Sequence, residues 1–140
     1  MGEILTASLT ILVAVILFIL NELTLKPISE MRKLIGEVAY HLMYFAKYYA
    51  NPTKSNLEQQ IGVGNELRDM ASKLYAYSVS ISPKAYYFLR WFRKMPTLTD
   101  IQKSVSELIF ISNSVTQGKP IEIHNSRKKI EKLLRFNFFV

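Results

Sequence analysis

Cysteine is absent from this chain. Its absence removes thiol nucleophiles and thiolate metal sites from consideration, and it fits a reducing compartment. Histidine is nearly as scarce. His41 and His124 lie far apart, and neither has a second histidine at ligand spacing, so no zinc site is expected. Glu37 and His41 stand four residues apart on one helix face, and a surface ion pair is the expected use of that spacing. Glycine-rich phosphate loops are missing too. Gly62-Val63-Gly64 lacks both the pattern and a preceding strand. Small helical RNA-cleaving bundles place an Arg, four to six residues, then a His. Here eight residues separate Arg32 from His41, and His124 precedes Arg127. The expectation is a non-enzyme with no cofactor and no metal. No strand pattern exceeds Glu122-Ile123-His124, and neither repeats nor low-complexity segments occur.

The N-terminus also lacks basic side chains, and a long apolar run just after it is the dominant feature of the chain. From Ile4 to Leu20 there is no charge, glycine or proline. These residues make roughly 25 Å of helix, and about 33 Å if the helix runs to Leu25, against a bilayer core of about 30 Å. Residues 1–25 therefore read as a transmembrane anchor. Glu3 ahead of the run, and Asn21-Glu22-Leu23-Thr24-Leu25 after it, do not resemble a cleavable signal. Lys26, Arg32 and Lys33 follow the span, so the positive-inside rule places the N-terminus outside and residues 26–140 in the cytoplasm. The expected location is the inner (plasma) membrane of a bacterium.

Eighteen basic residues face eleven acidic ones, and of these charges only Glu3 precedes Leu20, so the part after the apolar run carries +8. Such a domain is attracted to anionic lipid, and its charge also suits a protein or RNA partner. Its residues read as helix throughout. Pro27 and Ser29 mark a break, after which Met31, Leu34, Ile35, Val38, Leu42, Phe45, Ala46 and Tyr49 form one apolar face as far as Ala50. Asn51-Pro52 ends that helix. Ser55 with Glu58 caps the next, which carries Leu57, Ile61, Leu67, Met70, Ala71 and Leu74 to about Tyr77, with Gly62 and Gly64 marking a kink or a close contact. Ser82-Pro83 opens a short aromatic helix. Thr97 with Asp100, or Thr99 with Gln102, caps a further one, closed by Gly118. Its inner face is Ile101, Val105, Leu108, Ile109, Ser112 and Val115, and Asn125 caps a last helix with Ile130, Leu133 and Leu134 inward. The fold class is all-α: a transmembrane helix followed by a small antiparallel bundle of about four helices plus the short aromatic one.

Three stripes are candidates for function. In the membrane helix, at about 100° per residue, Glu3, Thr6, Ala7, Thr10, Ala14, Leu17 and Asn21 gather in one sector. Small and hydroxylated residues at this spacing suit helix–helix packing, which points to a homo-oligomer, and in a ring the sector lines a pore with Leu17 at a hydrophobic constriction. The second stripe holds Lys84, Tyr86, Tyr87, Arg90, Trp91, Arg93 and Lys94, the only Trp among them. Aromatics mixed with basic residues suit the membrane interface. Two other readings stay open: a bundle plug made by Phe88, Leu89 and Phe92, and a platform for stacked bases. The third is the basic face Arg127, Lys128, Lys129, Lys132 and Arg135, which Glu131 interrupts and which reads first as solvated.

Several phrases carry a resemblance: Pro27-Ile28, Arg32-Lys33-Leu34-Ile35-Gly36-Glu37-Val38-Ala39, Asn51-Pro52, Glu66-Leu67-Arg68, Ala71-Ser72-Lys73-Leu74 and Leu108-Ile109-Phe110-Ile111-Ser112-Asn113-Ser114. In these the chain resembles a group of small bacterial single-pass membrane proteins with a helical cytoplasmic domain. That resemblance implies location and architecture, and no activity. In plan alone the chain is also similar to the pore-forming accessory membrane protein of RNA-targeting CRISPR loci, with no shared motif. The expected function is a self-associating membrane effector, a pore or a membrane-perturbing defence protein. The alternative is a membrane-tethered adapter for a protein or RNA.

Overall fold

The computed structural model describes residues 2–50, 57–93 and 95–136, and the side chains of all of these except residues 3, 5, 50 and 91–93. The helices are α1 (Gly2–Leu20), α2 (Lys26–Tyr44), α3 (Ala46–Ala50), α4 (Leu57–Ser80), α5 (Pro83–Arg93), α6 (Leu98–Ser114) and α7 (Pro120–Leu134). The described residues contain no strand. The proposed cap Ser55 lies outside them.

Pro27 does not break the helix after α1 as expected. A π-helical turn, Asn21–Leu25, joins α1 to α2, so the helix is unbroken from Gly2 to Tyr44. A proline has no N–H to give, and its ring collides with the carbonyl four residues back when the turn is tight. Here the preceding turn is wide: the Lys26 N–H donates to the Asn21 carbonyl, five residues back. Pro27 then falls in the first turn of α2, immediately after this wide turn. Lys26 Nζ pairs with Glu22 across the junction at 3.0 Å.

The helix expected to reach Ala50 unbroken is bent at Phe45, whose φ of −92° and ψ of 15° lie outside helical values. Beyond the bend, α3 folds back against α7. The domain is built around α4, which packs on α2 and α6, while α6 packs on α7. Met31, Leu34, Val38 and Leu42 of α2 are buried, as are Val63, Leu67, Ala71 and Leu74 of α4, Ile101, Val105, Leu108 and Ile111 of α6, and Ile123, Ile130 and Leu134 of α7. Each Leu or Ile so buried contributes roughly 1.5–3 kcal/mol. These are largely the faces that the spacing predicts. Leu57, Ile61 and Ile109 are exceptions, lying exposed on the outer side of their helices.

Close approach decides how α4 meets α6. A Cβ on Gly64 would stand 2.9 Å from the Ser112 carbonyl oxygen and 3.4 Å from Val115 Cγ1, whereas one on Gly62 would meet nothing within 4 Å. Gly64 is thus the close contact, and Gly62 is not. At the start of α6 the capping box is present: Thr97 Oγ1 accepts from the Asp100 N–H at 2.9 Å, and the Asp100 carboxylate accepts from the Thr97 N–H. Beyond α6, Gly118 takes the left-handed conformation at φ 67°. The last helix begins at Pro120, five residues before the cap assigned to Asn125. Pro at the first helical position starts a helix without an N-cap side chain, and Asn125 simply lies inside it.

Neighbouring helices run antiparallel, and their register fixes which end of the domain adjoins α1. His41 of α2 meets Glu66 of α4, while Glu37 acts electrostatically on Lys73. Moving toward the N-terminus of α2 therefore moves toward the C-terminus of α4, and Ile28 belongs at the level of Ile81. Both are buried. Likewise Glu107 pairs with Lys129, while Asp100 feels Arg135. Tyr86 of α5 feels both Asp100 and Arg135. So the start of α2, the end of α4, α5, the start of α6 and the end of α7 share one end of the domain, the end from which α1 departs.

Candidate functional site

No residue of the apolar window in α1 is buried, and α1 is long and apolar enough to cross a membrane. Its polar sector is quieter than composition suggests. Thr6 Oγ1 donates to the Gly2 carbonyl at 2.8 Å and Thr10 Oγ1 to the Thr6 carbonyl at 2.9 Å. Ser8, on the opposite side, donates to the Ile4 carbonyl at 2.8 Å, so its hydroxyl proton too is satisfied within the helix. With these hydroxyl protons engaged inside the helix, Thr6 and Thr10 present a shallow hollow rather than hydrogen-bond donors. Gly2, Thr6, Ala7, Thr10 and Ile11 line that hollow. Ala14, Leu17 and Asn21 are exposed along the same helix, and the Glu3 side chain lies outside the described ones.

The aromatic stripe divides. Tyr86 is fully buried, and its hydroxyl donates to the Pro96 carbonyl at 2.6 Å. Burial pushes that phenol up to about 12. Arg90 is half-buried, and its Nε donates to the Met95 carbonyl at 2.9 Å. Neither is free to lie in a membrane interface, because both hold the return from α5 into α6. Lys84 and Tyr87 are exposed. Of the plug residues, Leu89 is partly buried against the core, but Phe88 is 67 % exposed. The Trp91, Phe92 and Arg93 side chains and all of Lys94 lie outside the described ones.

On α7, Lys128 and Lys132 are exposed, and Lys129 pairs with Glu107 at 3.0 Å. Arg135 is exposed and terminates the helix in a left-handed conformation. Lys103, Lys129, Lys132 and Arg135 line a groove of about 660 Å³ between α6 and α7, together with Asp100 and Glu107. Arg127 leaves this face. It is half-buried beside Tyr49 and Glu131, and burial holds its guanidinium below the usual range.

Arg127 instead approaches a buried cluster that sequence reasoning did not find. His41 is 2 % exposed. Its partner is not Glu37. Its Nε2 lies 3.2 Å from the Glu66 carboxylate and its Nδ1 2.9 Å from the Tyr49 hydroxyl. Phe45 packs against the imidazole with ring centroids 4.7 Å apart. Burial lowers the His41 pKa, and this outweighs the hydrogen bond and charge of Glu66. The ring is therefore neutral. A carboxylate only accepts, so Nε2 carries the proton and donates to Glu66, while Nδ1 accepts from Tyr49. Burial also raises the Tyr49 pKa, keeping the phenol protonated as that donor requires. Residues 41 and 49 would stand about 12 Å apart along a straight helix; the bend at Phe45 brings them together. The cluster ties α2, α3 and α4 into one unit. Its one sequence signal was position, since His41 falls between Val38 and Leu42 on the apolar face.

Among the described residues, no group of three or more His, Asp or Glu side chains is placed to hold a metal ion. No protein-family model matches the chain, and neither a curated protein nor a solved structure matches it.

Proposed function

We propose that this chain is a single-pass protein of a bacterial inner membrane, with its helical domain in the cytoplasm, that self-associates through the Thr6–Ala7–Thr10–Ala14 sector and acts as a membrane effector. The observation that carries this reading is the unbroken helix from the span into the domain. A flexible linker would isolate a domain from its anchor. Here any clustering or rotation of spans moves α2, and α2 is a wall of the core. The uncovered small-residue hollow gives the spans a surface on which to pack without hydrogen bonds. A pore is the stronger form of the proposal, with Leu17 as its dewetting constriction.

The mass of the full chain in mild detergent, with bound detergent subtracted, tests this reading. At 16.2 kDa per chain the subunit number is readily resolved. A discrete assembly that dissociates in Thr6→Leu/Thr10→Leu supports self-association through the sector, and about six or more chains could enclose a lumen. A monomer removes it. The second reading, a tethered adapter for a protein or RNA, is favoured by the groove of Lys103, Lys132 and Arg135.

A further inference from the structure

The domain is joined to the anchor with almost no spacer. Ile28 is 1 % exposed and Met31 is fully buried, so the packed core begins three residues after Leu25. Three helical residues rise about 4.5 Å, and the headgroup layer on each side of a bilayer is roughly 5–8 Å deep. Leu23 and Leu25 are apolar and exposed, extending the greasy surface of the span to that point. The anchor-side end of the domain is therefore held at headgroup depth whenever α1 spans.

The same end concentrates aromatic and basic groups. On α5, Lys84 is exposed, Tyr87 is 49 % exposed and Phe88 67 %. Exposed Lys103, Lys132 and Arg135 converge on it from α6 and α7. Acidic groups there are largely engaged: Glu22 pairs with Lys26, and Asp100 caps α6. Glu30 is outnumbered by Arg32 and Lys33 on the same helix. Rings that are wet on one side, with cations beside them, match the chemistry of an anionic headgroup layer.

We infer that α5 and the adjoining ends of α6 and α7 form a second membrane contact, a docking surface for anionic phospholipid on the leaflet where α1 emerges. The inference rests on α1 spanning the bilayer, but not on self-association. It recasts the aromatic stripe: Tyr86 and Arg90 brace α5 from within, while Lys84, Tyr87 and Phe88 face the lipid, joined by cations from helices distant in sequence.

Trp91 is the only tryptophan and lies on α5, so its fluorescence reports on this element and not on the anchor. The test uses the full chain in nanodiscs of phosphatidylcholine, with or without about one third phosphatidylglycerol, and lipid brominated high in the acyl chains. The expected result is Trp91 quenching at least twofold stronger in the anionic discs. It should fall by at least half in 1 M salt, where the Debye length is about 3 Å. It should fall similarly in Lys84→Glu/Lys132→Glu/Arg135→Glu and in Tyr87→Ser/Phe88→Ser, each checked by thermal melting to be folded. Quenching that ignores lipid charge and the charge reversals overturns the proposal. So does the absence of quenching, and a change in Trp91 emission on adding single-stranded RNA instead would assign the surface to nucleic acid. Failure of the chain to enter the discs would refute the anchor, a result distinct from failure of docking.

Discussion

Gly62 and Gly64 stand two residues apart in α4, and replacing each with Ala should have very different effects on stability. Both changes gain the same helix propensity, about 0.8–1 kcal/mol. At Gly62 nothing lies within 4 Å of the new methyl, so Gly62→Ala should stabilise by close to that amount. At Gly64 the methyl would stand 2.9 Å from the Ser112 carbonyl oxygen, about half an ångström inside ordinary contact. That oxygen belongs to the backbone of α6 and cannot swing aside as a flexible side chain would. The two helices must separate, loosening the packing of the buried residues between them, including Leu67, Leu108 and Ile111. Overpacking of this kind costs roughly 1–3 kcal/mol. Because the propensity gain is common to both variants, the difference between them isolates the steric cost. For a domain of this size 1 kcal/mol is about 4 °C in Tm, so Gly62→Ala should melt roughly 4–12 °C above Gly64→Ala. Thermal melts of the full chain in one detergent, followed by far-ultraviolet circular dichroism, would measure it. Equal melting temperatures would refute the close approach of α4 and α6 at Gly64.

Other predictions concern polar groups. Because burial lowers the folded-state pKa of His41 below its unfolded value near 6.5, the unfolded chain binds the extra proton first as pH falls. His41 should therefore cost stability as pH drops below about 6.5 toward its folded pKa, with a slope of at most about 1.4 kcal/mol per pH unit. His41→Asn should be less stable at pH 8 by about 1–3 kcal/mol and should lose that slope between pH 7 and 5.5; denaturant titrations showing the same slope in both proteins would exclude His41 as its source. Tyr86→Phe removes a buried hydrogen bond and leaves the Pro96 carbonyl without that donor, so its Tm should fall by a few degrees, for about 1–2 kcal/mol. Thr97→Ala should cost about 0.5–2 kcal/mol by removing the cap of α6, readable in the same melts. The Thr97 hydrogen bond holds the Asp100 pKa down despite some burial, so this part of the stability is present above the ordinary carboxylate range and is lost as pH falls through the folded pKa.

Patterns that repeat along one helix were legible without coordinates. The apolar run of α1, the inner faces of α2 and α6, the Thr97–Asp100 box and the turn at Gly118 each depend on residues a few positions apart. Local geometry alone decides such features. The misreadings share the opposite property. Pro27 looked like a stop because the rule for proline assumes a tight turn; the wide turn ahead of it removes the clash. Tyr86 looked like an interface group because it shares an aromatic stripe with Lys84 and Arg90, and Arg127 looked like a surface group because Lys128 and Lys129 follow it, yet each is covered by another element: Tyr86 by the segment around Pro96, Arg127 by α3.

The sequence by itself determined that this protein has a membrane-length apolar helix and an all-helical domain. Hydrophobic length and a period near 3.6 are properties of the chain read in one dimension, and burial follows from them directly. Only the tertiary structure decided that His41 pairs with Tyr49 and Glu66 rather than Glu37, and that α5 and Arg135 at the end of α7 share the end of the domain beside α1. Those outcomes depend on register between helices separated by tens of residues. Helix ends and bends set that register, and the summed packing of the whole core selects it.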